Sequence, residues 1–380
     1  MNTQTKTGIV AVGAAVLAAG LALGAHASTA FAGSADRATP EATQAGAEVD
    51  PSARAVVSPR DENGMTSKEV AQYWTPQRMR QATTIEAPVA QPDRDRSKAP
   101  ADVLEPQSMP AVAPAGARAA PGLEAKADHV TKSQLYGNAG RPPAVVTGRL
   151  GFDQPNGKHG QCTASVISTE NKNTIWTAGH CVHTGGEDGD WNTNFVFAPD
   201  ADNGQEPEGV WTCGEADSGC GAIAPRGWVD DKSNDYDLGA VVLKSQLQPG
   251  GNLQDRVGAF GYKFGYGEKF SDVLMLGYPG TTYPAREHED LDAEHLWYCL
   301  NDTDNESGWW ADRIQTECDM RKGASGGPWV DEMNPRTGKG GKIIGTHSGS
   351  IALGDWESRE IYSASHGDAA IEVINTANEK

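Results

Sequence analysis

Downstream of Val145 the chain reads as short apolar runs cut apart by clusters of Gly, Pro, Asp and Asn. The runs 145–152, 165–168, 174–177, 195–198 and 238–243 carry the β-branched and aromatic residues that favour strands. After residues 245–252, a candidate connection, the pattern resumes at 273–278, 329–330 and 342–348. The period changes only at 369–378, where Ala370, Ile371, Val373 and Ile374 fall near one face of a helix. The pattern predicts an all-β domain of two antiparallel barrels, followed by a C-terminal helix.

Residues 33–128 differ. They contain no cysteine, are rich in Ala, Pro, Gln and Glu, and are interrupted by proline throughout, from Pro51 to Pro121. One short piece reads as helical. Thr66-Ser67-Lys68-Glu69 offers a Ser/Thr cap with a following acid ahead of Val70–Trp74, and Pro76 opens a second turn through Arg80. The rest is predicted to be extended or irregular. Further upstream, Lys6 precedes the apolar stretch 8–24, and Ala30-Phe31-Ala32 is a small-x-small cleavage site, with Ala25-His26-Ala27 as a second candidate. Residues 1–32 thus read as a secretory signal peptide. No other stretch is apolar enough to span a bilayer, so no membrane association is expected after cleavage. The formal net charge is −19. Residues 1–128 hold 12 Lys+Arg and 14 Asp+Glu, leaving 20 and 37 downstream, a net of −17. That acidity argues against nucleic acid as a partner.

Three segments carry chemistry. Ser325 stands in Gly323-Ala324-Ser325-Gly326-Gly327-Pro328, His180 in Thr177-Ala178-Gly179-His180-Cys181, and Asp237 opens the apolar run Leu238–Leu243. A serine hydroxyl needs a base within reach, and the base needs an orienting carboxylate. The order His, Asp, Ser is one of the known arrangements of that triad. Asp235 competes for the orienting role, but its setting, Lys232-Ser233-Asn234-Asp235, suggests an exposed loop carboxylate. The rival order Ser, Asp, His of an α/β-hydrolase is met formally by Asp355 and His366. Too little chain follows Ser325 for the rest of that sheet, and the rival leaves His180 unexplained.

These segments resemble the signatures of the chymotrypsin-like serine proteases, over the region from about Val145 onward. The resemblance implies two six-stranded β-barrels with the triad between them, an oxyanion hole made by the N–H groups of Gly323 and Ser325, and no cofactor. It implies a secreted endopeptidase that cuts protein or peptide substrates as a monomer, divided as signal peptide 1–32, pro-region 33–128 and protease domain 129–380. An Ala/Pro-rich tether is the alternative reading of the pro-region.

Six cysteines allow 15 pairings. The resemblance implies Cys162–Cys181; Cys213 and Cys220 read as a loop staple, leaving Cys299 and Cys318. No Cys-x-x-Cys or spaced histidine array points to zinc, so no metal is expected. The acidic loops at Asp188 and Asp302 lack the glycine of a calcium-binding loop. Ala324 replaces the aspartate that pairs with a new N-terminus in the digestive branch, so removal of an inhibitory or folding-assisting pro-region is the expected activation. The specificity pocket is expected along His347, Ser348 and Gly349. The glutamyl-endopeptidase branch is similar here, which implies Glu or Asp at P1. The alternatives are Arg/Lys specificity through Asp319, six residues before Ser325, or a catalytically silent homologue acting as a binding protein.

Overall fold

The computed structural model describes residues 48–87, 102–114, 129–137, 139–244, 251–284, 291–305, 313–334, 339–353 and 356–380. The signal-peptide expectation and most of the 245–252 connection lie outside them. The described residues belong to one compact unit, Ala47–Lys380.

The N-terminal third contributes β1 (Ala55–Val57), the helices α1 (Ser67–Tyr73) and α2 (Pro76–Gln81), then β2 (Thr83–Thr84) and β3 (Gln107–Met109). The expected helix forms, and the turn expected from Pro76 is a short helix as well; their caps explain why. Thr66 and Glu69 make a reciprocal capping box, and the Thr75 side chain accepts from Arg78 N ahead of Pro76. Val70, Trp74, Met79 and Ala82 pack with Val196 in a small apolar cluster, and Trp74 Nε1 donates to Asn194 O at 2.7 Å. The three short strands were not legible in the sequence. β1 adds to the edge of the first sheet, and its register comes from its partner strand rather than from any alternation of its own.

β4 (Val130–Leu135) then joins the second barrel. The first barrel follows as β5 (Thr147–Asp153), β6 (His159–Val166), β7 (Thr174–Thr177), β8 (Thr193–Pro199), β9 (Trp211–Cys213), β10 (Gly221–Pro225) and β11 (Gly239–Val242). β9 pairs β8 and β10 pairs β11, so the loop between them carries the chain across the barrel. Counted as one interrupted strand, β9 and β10 complete the six expected. The Cys213–Cys220 disulfide closes that loop, and Cys162–Cys181 and Cys299–Cys318 are the other two bridges, as expected.

A short helix, α3 (Arg226–Val229), precedes β11, and α4 (Leu253–Val257) precedes the second barrel. That barrel holds β12 (Gly261–Phe264), β13 (Val273–Gly277), β14 (Trp297–Asn301), β15 (Asp304–Asn305), β16 (Arg313–Glu317), β17 (Pro328–Asn334), β18 (Lys339–Thr346), β19 (Gly349–Leu353) and β20 (Trp356–Ala364). Its strands lie in two sheets, β3-β12-β18-β17-β13-β14-β4 and β15-β16-β20-β19. The helix α5 (Asp368–Asn378) buries Ile371, Val373 and Ile374 in the main core, against β10 and β11. Among the described residues no helix is long and apolar enough to cross a membrane.

Asp200, just past β8, is buried and accepts from Gly140 N at 2.7 Å. Burial pushes its carboxyl up to about 6, helped by the nearby charges of Glu208 and Asp202. A carboxyl whose pKa is raised on folding holds its proton longer in the folded state. Stability is therefore lost as pH rises from the unfolded value toward 6. Asp200→Asn should flatten the fall in melting temperature between pH 4 and 6; an unchanged slope would contradict this environment for Asp200.

Candidate active site

Each of the three candidate residues is set by the element before it. His180 lies in a 3-10 turn, Gly179–Cys181, directly after β7, and the bridge to Cys162 ties that turn to β6. Asp237 ends a second 3-10 turn, Asn234–Tyr236, just before β11. β7 and β11 are hydrogen-bonded neighbours, with Thr177 opposite Gly239, so the two turns emerge side by side. Ser325 comes from the second barrel, on the turn that leads into β17.

The Asp237 carboxylate is fully buried. Its Oδ1 accepts from His180 N at 2.7 Å, and its Oδ2 lies 2.9 Å from His180 Nδ1. The carboxylate therefore holds both the backbone and the ring of the histidine. Gly179 permits this approach, because a Cβ there would meet the Trp228 ring at 2.9 Å and Asp237 Oδ1 at 3.0 Å. His180 Nε2 is buried and has no hydrogen-bond partner.

The Ser325 turn requires its glycines. Gly323 and Gly326 have φ of 94° and 79°, in the left-handed region. A Cβ on Gly326 would overlap Thr177 Oγ1 and Thr163 O. Thr163 N donates to Ser325 O at 2.7 Å, binding the turn to the first barrel. The Ser325 hydroxyl donates to Ile85 O at 3.0 Å, and Gly323 N donates to the same oxygen at 3.1 Å. Nothing in the sequence marked Ile85 as part of the site.

The expected pocket residues gather on the other side of this turn. Gly326 N donates to His347 O and His347 N to Gly327 O, while Ser348 Oγ donates to Asp237 O at 3.1 Å. Gly349 lies against Tyr362 and close to Ala87. His347 is buried, with neither ring nitrogen hydrogen-bonded. Burial, and then the charges of Arg321 and His180, push its pKa down to about 3, so the ring is neutral at ordinary pH. Arg321 is itself buried and donates to the carbonyls of Cys318 and Met320. Neither Arg321 nor Tyr362 was singled out from the sequence.

Two acids differ from their expected settings. Asp319 is buried, and its carboxylate accepts from Ser133 N at 2.8 Å, which commits it to the backbone of β4. Asp235 is not an exposed loop acid: it is buried and pairs with Arg313 Nε at 2.7 Å. His366, the base of the rival hydrolase order, has Nε2 on Trp176 Nε1 and Nδ1 on Ala364 O, so both ring nitrogens are occupied; Asp355 lies outside the described residues.

No established family description matches the chain. In fold it is similar to the protease Anisep from Arthrobacter nicotinovorans, with 25% identity, 65% of this chain and 100% of that one covered, and a TM-score of 0.53. A thermostable serine protease from an extremophilic microorganism aligns over 62% of this chain and 98% of its own, with 24% identity and a TM-score of 0.50. The chain has the chymotrypsin-like fold. In sequence, 123 residues are 32% identical to an extracellular metalloprotease of Bacillus subtilis (strain 168). The chain spans about a third of that relative's length.

The metal in that relative's name prompts a comparison with the donors here. Among the described residues, three groupings of His, Cys, Asp or Glu bring ligand atoms together. Two of them rest on Cys162 and Cys181 or on Cys299 and Cys318, whose sulfurs are tied up in disulfides and offer no thiolate. The third, His129, Asp272 and Asp302, is exposed and shares no residue with the site around Ser325.

The buried pair yields a test. Arg313→Ala leaves the Asp235 carboxylate without its guanidinium, and the cost should be roughly 3–5 kcal/mol. Urea unfolding at pH 7 measures it; a change within error would mean that the pair contributes nothing to stability.

Proposed function

We propose that the chain is a secreted serine endopeptidase in which Ser325 is the nucleophile, His180 the base and Asp237 its orienting carboxylate. The observation that carries this reading is a buried carboxylate holding one nitrogen of His180 while the other is left without a partner. Ser325 Oγ attacks the carbonyl carbon of the scissile bond as its proton passes to His180 Nε2. The oxyanion accepts from Gly323 N–H and Ser325 N–H. Collapse breaks the C–N bond, and His180 returns the proton to the leaving amine. Water then hydrolyses the acyl-enzyme by the same route. Asp237 stabilises the imidazolium in both halves.

We take the protease domain as 129–380 and residues 33–128 as a pro-region removed on maturation. Keeping residues from 129 onward retains β4, whose pairing with β14 and bond to Asp319 support the second barrel. Three disulfides suit an extracellular setting. The preferred P1 residue is Glu or Asp. His347 supplies an N–H donor, and Arg321 supplies positive charge close enough to depress that histidine. The bond from Ser133 N to the Asp319 carboxylate favours this reading over the trypsin-like alternative.

Ser325→Ala should lower kcat by roughly 10⁴–10⁶ with the fold retained, and Asp237→Asn by about 10⁴. A P1 peptide library given to the matured enzyme should show cutting after Glu or Asp, and His347→Ala should cut kcat/KM for those substrates roughly 10–100-fold. Cutting confined to Arg and Lys would overturn the pocket assignment while leaving the triad intact.

A further inference from the structure

The residues just after α2 cross the reaction centre. β2 pairs with β6 in parallel, Thr83 opposite Gly160 and Thr84 opposite Gln161, and Ile85 N donates to Gln161 O at 3.2 Å. The Ile85 carbonyl oxygen then takes both the Ser325 hydroxyl and the Gly323 N–H. Beyond it, Glu86 Oε1 is shielded from solvent and its charge acts on the buried Tyr362, while Ala87 lies beside Gly349. Five consecutive residues thus run from the β6 edge, over the nucleophile, to the pocket side.

We propose that Thr83–Ala87 is a built-in inhibitory strap, laid through the cleft in the direction opposite to a substrate and therefore not cut. This rests on the serine endopeptidase reading above. In a substrate, one residue supplies both the side chain in the pocket and the carbonyl in the oxyanion site. Here the carbonyl belongs to Ile85, and it is the chain after it, through Glu86 to Ala87 beside Gly349, that reaches the pocket side. Attack on the Ile85 carbonyl would need the Glu86 nitrogen to leave toward His180, yet the chain after Ile85 runs on to Ala87 beside Gly349, on the pocket side. The serine proton is also misdirected, because it is donated to the carbonyl oxygen and not to His180 Nε2.

The strap is anchored upstream of the cleft. Trp74 and Met79 pack with Val196, Thr212 Oγ1 donates to Ser67 O at 2.8 Å, Gly214 N donates to Ser67 Oγ at 3.0 Å, and β1 pairs with β10. A cut between residues 88 and 128 therefore leaves residues 48–87 held in place without a covalent link. Cutting alone does not free the cleft; the fragment must dissociate or be degraded.

The full chain, secreted and allowed to mature, is sampled over time with a fluorescent fluorophosphonate and resolved on a gel. The mature band should label roughly 100-fold faster than the intact precursor, because a tethered strap acts at high effective concentration. Ile85→Pro removes the N–H that pairs with Gln161, and Glu86→Ala removes the pocket-side acid. The Ile85 change should speed labelling of the intact precursor about tenfold, the size of one lost buried hydrogen bond, and the Glu86 change should speed it too by removing a side chain of the strap. Both variants mature to the wild-type domain, so equal labelling of their mature bands checks folding. Mass spectrometry of the released fragment should find the Ile85–Glu86 bond intact. Equal labelling of wild-type precursor and mature bands, or rapid cutting at Ile85–Glu86, overturns the strap alone. A mature band that never labels overturns the endopeptidase reading, and the strap with it.

Discussion

The site depends on one buried carboxylate. Asp237 has no contact with solvent, and an ionised group in that position is tolerated only when its oxygens are hydrogen-bonded. It meets that demand with the backbone and ring of His180. The same demand requires a glycine at 179, so that the turn can approach, and it draws β7 and β11 together at their ends. The backbone of Asp237 reaches the second barrel as well, through Ser348 Oγ. One residue thus couples the base to the edge of the pocket. Ser325 O does the same for the nucleophile turn by accepting from Thr163 N in the first barrel.

The fold and the site were legible to different degrees, for physical reasons. Core strands such as β7, β11 and β13 are short, buried and made largely of β-branched or large apolar residues, so their own composition reports them. β16 carries Arg, Gln, Thr and Glu and β20 carries Glu, Ser and Arg, and both were missed because polar residues take up much of each strand. β1, β2 and β3 are too short to carry a period and exist because a neighbouring edge accepts them. The candidate triad was legible because glycines, a disulfide cysteine and an acid before an apolar run each answer a local steric or electrostatic need.

Burial of the remaining acids was not legible, because it depends on partners distant in sequence. Asp235 finds Arg313, 78 residues away, and Asp319 finds the backbone of Ser133, 186 residues away. Ile85 was invisible for a simpler reason. Its contribution is a backbone carbonyl, which every residue has, so no residue type announces it.

The pairing of β1 with β10 bears on how the first sheet meets other chains. β10 is an inner strand only while Ala55–Val57 lies beside it. On the proposed maturation, loss of residues 48–87 would leave the backbone of Gly221–Pro225 that faces β1 as an unpaired sheet edge carrying Ala222, Ile223 and Ala224. Such an edge is a template for any extended chain. Pro225 at its end removes one donor and limits how far an added strand can run. β1 therefore covers that edge, and under the proposed removal of residues 48–87 the tendency to associate edge to edge in concentrated solution would distinguish the processed chain from its precursor.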